Sequence, residues 1–199
     1  MLIVFTVRPY TGRDLRQVIR VYQKAFAEPP WNEIWSDDQV IEDMRFAFSQ
    51  KDSFALVAEE KKDQLAGFTW GYLLPLEKFP FLQGRVKESS SYMDEVAVSK
   101  ETRRKGIGSL LCQAYIEKVA EQGIQEIVLR TDQRNTASMA LFQKNGFRSL
   151  GIYDPKYQDR IYLARSISSR ESPKGLLSPN ENIFKDTKPI EIRRGKKCQ

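Results

Sequence analysis

Tyr92-Met93-Asp94-Glu95-Val96-Ala97-Val98-Ser99-Lys100-Glu101-Thr102-Arg103-Arg104-Lys105-Gly106-Ile107-Gly108 is the stretch on which the reading of this chain turns. Tyr92 to Val98 reads as a strand, and an amphipathic helix is predicted from Gly106 to Gln122. Gly123 then stops that helix from the position just past its end. A strand running through a short turn into a helix leaves unpaired N–H groups and the positive end of the helix dipole at that turn. Such a helix start is a ready anion site. Glycine at 106 and 108 lets an anion approach the main chain with no Cβ in the way. Arg103, Arg104 and Lys105 add cations beside it, and Ile107 separates the two glycines. Taken alone, basic residues ahead of G-x-G also describe an ordinary helix start with solvated charges. The surroundings decide between the two.

Working outward, short strands and helices alternate over residues 1–165. Ile3 to Arg8 reads as a strand, and Thr11 with Asp14 three residues later opens a helix carrying Leu15, Val18, Ile19, Tyr22 and Phe26 at helical spacing. Glu28-Pro29-Pro30 ends it. Ser36 caps a second helix with Val40, Ile41, Met44 and Phe48 as its apolar stripe. Ser53–Glu59 and Gln64–Leu74 form a predicted hairpin around the charged turn Glu60-Lys61-Lys62-Asp63, and Pro75 to Ser90 is loop. Beyond Gly123, a strand is predicted over Gln125–Arg130, a helix over Asn135–Lys144, a turn at Asn145-Gly146, and strands over Phe147–Tyr153 and Arg160–Arg165. The order β-α-α-β-β-β-α-β-α-β-β is a mixed α/β domain with no internal repeat.

Twenty-seven residues after Gly108 comes Asn135-Thr136-Ala137-Ser138-Met139-Ala140-Leu141-Phe142-Gln143-Lys144-Asn145-Gly146-Phe147. Together with Arg103-x-x-Gly106-x-Gly108, it resembles the GNAT N-acetyltransferase superfamily. That family's acetyl-CoA fingerprint is (R/Q)-x-x-G-x-(G/A) after a strand, and its second motif is N-x-x-A-x-x-L-Y-x-K-x-G-F. Two motifs at this separation, each on its proper element, are far more specific than either alone, and the family's element order covers about four-fifths of the chain. The resemblance implies a mostly antiparallel mixed sheet, splayed between its fourth and fifth strands and flanked by helices on both faces. It implies that the amides around Arg104 to Gly108 hold the CoA diphosphate and that the main chain of Val96, Ala97 and Val98 pairs with the pantetheine arm. Asn135 would hydrogen-bond that arm, with Ser138 and Phe142 on the helix beside it. A backbone N–H near Val96 would stabilise the oxyanion. Arg103, Arg104 or Arg134 would take the 3′-phosphate.

The activity so implied is transfer of an acetyl group from acetyl-CoA to a primary amine of a small molecule or peptide. An acyl-CoA-binding module without turnover is the alternative. An alkylamine with pKa ~10.4 is protonated at neutral pH, so a base must take its proton. The chain contains no histidine, which excludes Ser–His and Cys–His triads and most zinc sites and leaves a carboxylate as the natural base. Glu95 is preferred, with Asp94 close behind. Strict alternation would send them to opposite faces, and a β-bulge, frequent at this strand in the family, would undo that. One departure is clear: where the family carries a tyrosine that reprotonates the CoA thiolate, this chain has Phe142. Tyr153, Tyr157 and Tyr162, water or bulk solvent are the substitutes. By resemblance, Glu28-Pro29-Pro30-Trp31-Asn32-Glu33-Ile34-Trp35 borders the acceptor groove. Trp31, Glu33 and Trp35 would then line it for a cationic amine, unless the tryptophans simply pack in the core. Lys78 to Lys87 would form the opposite wall.

The remaining expectations come from composition. The 199 residues are 41% hydrophobic and 29% charged, with mean hydropathy −0.51, and no stretch reaches the ~20 apolar residues that span a bilayer. Met1-Leu2-Ile3-Val4-Phe5 does not read as a secretory signal. Two cysteines, Cys112 and Cys198, cannot cage a metal, and the expected setting is cytoplasmic and reducing. Net charge is +6, but residues 166–199 hold eight basic and four acidic residues, so most of the excess sits in a Pro- and Ser-containing tail. That tail reads as a flexible or loosely docked segment after a 1–165 domain, with Ile183-Phe184 and Ile190-Glu191-Ile192 as apolar exceptions. Arg193-Arg194-Gly195-Lys196-Lys197 is the feature that points to nucleic acid, and the even charge of the domain weighs against that reading. The expected partners are acetyl-CoA and an amine, with no metal and no membrane, and a homodimer left open.

Overall fold

The computed structural model of the chain describes residues 4–61 and 64–168. Strand β1 (Thr6–Pro9) leads into a 3₁₀ turn at Gly12–Asp14 and helix α1 (Leu15–Phe26). The turn is built on Asp14, whose Oδ2 accepts from the Thr11 amide at 2.8 Å and the Thr11 hydroxyl at 2.9 Å. Arg8 clamps both oxygens of the same carboxylate at 2.8 and 2.9 Å. Helix α2 (Asp37–Ser49) starts on a reciprocal box: Gln39 N–H donates to Ser36 Oγ, and Ser36 N–H donates to Gln39 Oε1. Hairpin strands β2 (Phe54–Lys61) and β3 (Gln64–Leu73) follow, then a loop with two 3₁₀ turns and β4 (Ser91–Val98). The chain continues through α3 (Ile107–Glu121), β5 (Glu126–Asp132), α4 (Thr136–Lys144), β6 (Arg148–Tyr153) and β7 (Arg160–Ser166). Of the expected first strand, Ile3 lies outside the described residues and pairing begins at Thr6. The expectations for the tail fall, beyond Ser168, outside the described residues as well.

The sheet runs β1-β2-β3-β4-β5-β7-β6, antiparallel everywhere except between β4 and β5. Helices cover both faces. Tyr22, Phe26, Met44, Phe68, Trp70, Tyr72, Tyr92 and Tyr162 make a core under α1 and α2. Met93, Tyr115, Ile116, Leu129, Phe142 and Phe147 make another under α3 and α4. With both faces covered, β3 is buried from Leu65 to Tyr72 rather than at alternate positions. Gly71 is required for packing: a Cβ there would fall 1.9 Å from the Tyr115 hydroxyl, which bonds Ser91 Oγ at 2.7 Å.

Two irregularities of β4 create the site. First, β4 pairs with β5 only over Ser91–Met93 against Ile127–Leu129. Beyond Met93, β5 stays paired with β7 while β4 goes on to Val98 paired only with β3, so the sheet opens between β4 and β5, as the family resemblance implied. Second, Met93 faces Gly71 and Glu95 faces Trp70, which leaves Asp94 as an extra residue in a bulge.

Candidate active site

The turn between β4 and α3 is held open by its own backbone. Thr102 ties it to β3 by donating to Ala66 O at 3.1 Å. Arg104 (φ +61°) and Gly106 (φ +83°) are both left-handed, on either side of Lys105, and this winding brings successive N–H groups round to one concavity. Among the described residues, the amides of Arg104 to Ser109 find no protein acceptor, and the first helical bond is Leu110 N–H to Gly106 O. A Cβ at Gly106 would meet nothing within 4 Å, whereas one at Gly108 would press on Leu141 of α4 at 3.2 Å. Gly106 thus borders open space, and Gly108 lets two helices approach. Ile107 is buried beneath them.

The cations around the turn are not equivalent. Arg103 folds back to pair with Glu28, and Lys100 reaches the same carboxylate at 3.0 Å. Those two partners hold Glu28 below the usual carboxylate range. Arg134 is claimed by Asp132 (2.7 Å) and Asp159 (3.2 Å). Arg104 and Lys105 are exposed; Arg104 makes no ion pair among the described residues, and Lys105 lies 5.9 Å from the Phe5 ring. Asn135 caps α4 with Oδ1, accepting from Ser138 N–H at 3.1 Å.

The bulge decides the fate of the two carboxylates. Glu95 lies opposite Trp70, so both point to the α1/α2 face. Asp94 points there too, because its Oδ2 accepts from Trp70 Nε1 at 3.3 Å. Alternation without the bulge would have separated them. Asp43, from α2, belongs to the same group and takes the Tyr22 hydroxyl at 3.0 Å. Burial, with Asp43 beside it, pushes Asp94 up to about 7. Burial and the neighbouring Asp94 and Asp43 raise Glu95 well above its ordinary value. Asp43 is raised by burial despite its tyrosine donor. Three carboxylates this close share protons rather than ionising independently.

Across the opening the signs reverse. Arg130 of β5 and Tyr162 of β7 face each other in register on this same side. Arg130 pairs with Asp154, which also accepts from the Tyr162 hydroxyl at 3.3 Å and from the amides of Lys156 and Tyr157. Arg160, at the start of β7, reaches Glu33 on the α1–α2 connection at 2.9 Å. Trp35 Nε1 donates to the other Glu33 oxygen at 3.1 Å. Trp31 and Trp35 are half-buried against Phe26 and Tyr22, so they both pack and border the groove. Within Lys78 to Lys87, Phe79 packs on Tyr92 and Phe81 on Tyr162.

Phe142 is buried edge-on to Phe147 under α3 and has no hydroxyl to offer. Of its suggested substitutes, Tyr162 is pushed up to about 12 by burial, Tyr157 lies over the Arg160 guanidinium at 4.1 Å, and Tyr153 is exposed. Asp43, Arg130, Asp154 and Arg160 escaped the sequence reading. Only Asp43 left a signal there: it is an acidic residue on the flank of α2 that also carries Val40, Met44 and Ala47.

An opened strand edge, a cradle of unclaimed amides and a group of carboxylates thus meet where β4 leaves β5. The sequence profile of the Acetyltransferase (GNAT) family matches residues 16–147, and the chain belongs to that family. It is 29% identical over 143 residues to a mycothiol acetyltransferase of Kocuria rhizophila, covering 71% of this chain and 45% of that protein. Against an L-methionine sulfoximine/L-methionine sulfone acetyltransferase of Pseudomonas paraeruginosa it is 29% identical over 149 residues, 73% of this chain and 81% of the relative. Among solved structures, spermidine N-acetyltransferase from Vibrio cholerae in complex with CoA and spermine superposes with a TM-score of 0.62 at 18% identity, over 83% of this chain and 96% of that one. That likeness shows the fold. The chain spans under half the length of the mycothiol enzyme it matches. No helix among the described residues is long and apolar enough to cross a membrane.

Proposed function

We propose that this chain is an N-acetyltransferase that uses acetyl-CoA and a primary amine. The observation that carries the reading is the set of unclaimed amides from Arg104 to Ser109 beside the unpaired edge of β4. These features fit the nucleotide: the cradle is concave and cationic, Gly106 leaves it clear, and the edge offers main-chain partners to an extended arm. Arg104 to Gly108 would hold the diphosphate, with Arg104 and Lys105 as its free cations. Val96 to Val98 would bind the arm, and the Asn135 side-chain amide would meet it from α4. Acetyl-CoA supplies the acyl group as a thioester, whose C–S bond is exchanged for an amide C–N bond with release of the CoA thiol and one proton.

The chain's own contribution is to free and position the amine. Glu95 and Asp94 lie where β4 leaves β5, and their raised pKa values suit them to take a proton from an ammonium near neutral pH. The relatives are named for acceptors as different as mycothiol, L-methionine sulfoximine and spermidine, and those names do not choose among acceptors for this chain. The second reading, an acyl-CoA-binding module without turnover, is favoured by Phe142 alone. A CoA thermal-shift titration combined with thiol release across an amine panel tests both. A shift with release supports the transferase, a shift with no release from any amine supports the module, and no shift at millimolar CoA removes both.

A further inference from the structure

Arg160 spans the opening in a way that binding of the nucleotide does not explain. It lies opposite Asp132 at the tip of β5, the strand that diverges from β4. Its side chain is only 17% exposed, held between the rings of Trp31 (5.0 Å) and Tyr157 (4.1 Å). Its partner Glu33 comes from 127 residues earlier in the chain, on the far side of the groove. Glu33 is close enough to the bulge to raise both Glu95 and Asp43. The ion pair therefore stands beside the carboxylate group and crosses the gap.

Its geometry is incomplete. Arg8 holds Asp14 through two nitrogens, and Arg134 holds Asp132 the same way. Arg160 gives Glu33 a single hydrogen bond, from Nη2 to Oε1, so its planar fork is half used. Arg130, the other guanidinium of this wall, is committed to Asp154, which also anchors the β6–β7 loop. The groove is thus dipolar, with Asp94, Glu95 and Asp43 on the β4 and α2 side and one incompletely satisfied guanidinium on the β7 side.

We propose that Arg160 is the specificity-determining residue for the acceptor and reads a carboxylate. The amine end of the acceptor sits toward Asp94 and Glu95, while its carboxylate displaces Glu33 and takes both arms of the Arg160 fork. Glu33 is the stand-in that fills the site between turnovers. This rests on the acetyltransferase reading and narrows the acceptor to a small molecule carrying an amine and a free carboxylate, an amino acid or close analogue. A peptide N-terminus places a neutral amide near Arg160, and a polyamine places a second cation there. Each leaves the guanidinium less satisfied than Glu33 does.

The test uses the full chain with matched trios: amino acids, their amides and the corresponding decarboxylated amines. Acetylation is followed by thiol release, and binding to the CoA-saturated protein by calorimetry. In the wild type, amino acids are expected to exceed their amides in kcat/KM by at least about tenfold. Arg160→Gln should remove about that preference, with a loss on the amino acids that exceeds the loss on their amides by about tenfold, and with the CoA thermal shift intact. Glu33→Gln should act in the opposite direction and tighten amino-acid binding several-fold, because an internal competitor has gone. A purely structural ion pair would make both variants lose stability and activity together. Preference for amides or polyamines, equal loss on all acceptors in Arg160→Gln, or weaker amino-acid binding in Glu33→Gln would each overturn the proposal. Calorimetry keeps it separate from the transferase reading: amino-acid binding that depends on Arg160 without thiol release supports this site while removing that function.

Discussion

The two sides of the β4–β5 opening are built by different means. On the side proposed for the nucleotide, one run of residues from Ser91 to Ser109 supplies nearly every group, through main-chain amides and two left-handed residues. On the side proposed for the acceptor, Glu33, Asp43, Asp94, Arg130, Asp154 and Arg160 come from six separate places and present side-chain charge. A backbone cradle tolerates most side-chain changes and fails where conformation or sign is violated. A side-chain groove fails one function at a time as each pairing is removed.

The sharpest break of that contrast is at the bulge. Glu95→Gln is expected to lower kcat by about 10²–10⁴-fold, the usual worth of a positioned base, while CoA affinity is unchanged. Wild-type kcat/KM should rise with pH through about 7, as the group of Asp94, Glu95 and Asp43 gives up a proton. A flat profile between pH 5 and 9 would remove the carboxylate base. The same titration has a stability consequence. Asp94 holds its proton more tightly folded than unfolded, so its contribution is full below about pH 4 and is lost progressively as pH rises to about 7. Asp94→Asn should therefore gain melting temperature over the wild type at pH 8, gain less at pH 5, and match it only below about pH 4.

On the other side, Gly106→Asp should weaken CoA by about 100-fold or more, from a like charge in the cradle. Gly106→Asn accepts that backbone without the charge and should stay within about tenfold of the wild type. Equal loss in both, measured by calorimetry, would show that conformation rather than anion binding governs the turn. Asp154→Ala leaves the Arg130 guanidinium and two loop amides without their acceptor. It should cost about 3 kcal/mol in denaturant unfolding and raise the acceptor KM, with the CoA constant unmoved. Phe142→Tyr is the mildest. A thiol of pKa ~8.5 leaves without help, so kcat should move less than about threefold. A large gain would identify a missing acid.

Much of this was legible in the residues. The capping pairs Thr11/Asp14 and Ser36/Gln39 mark their helix starts because they act over three residues. Phe142 is legible as a departure because its motif is contiguous. The α1–α2 connection was harder. Glu28 and Glu33 suggest a lining for a cation, yet Glu28 is taken by Lys100 and Arg103, and Glu33 by Arg160. Neither partner is near in sequence, and a free carboxylate and a paired one look alike in a string of letters.

Sequence alone determined the order of elements and the glycine turn ahead of α3, and through the resemblance that its two motifs carry it implied the splayed mixed sheet. The first two follow from periodicity and from a glycine's freedom at φ > 0, and the motifs are legible because their parts are a few residues apart. Tertiary structure alone decided that Asp94 and Glu95 share a face, that Asp43 joins them, and that Arg160 closes the groove across 127 residues. A bulge is a mismatch between two strands, and an ion pair is a coincidence of two distant segments. Neither exists until the sheet has formed.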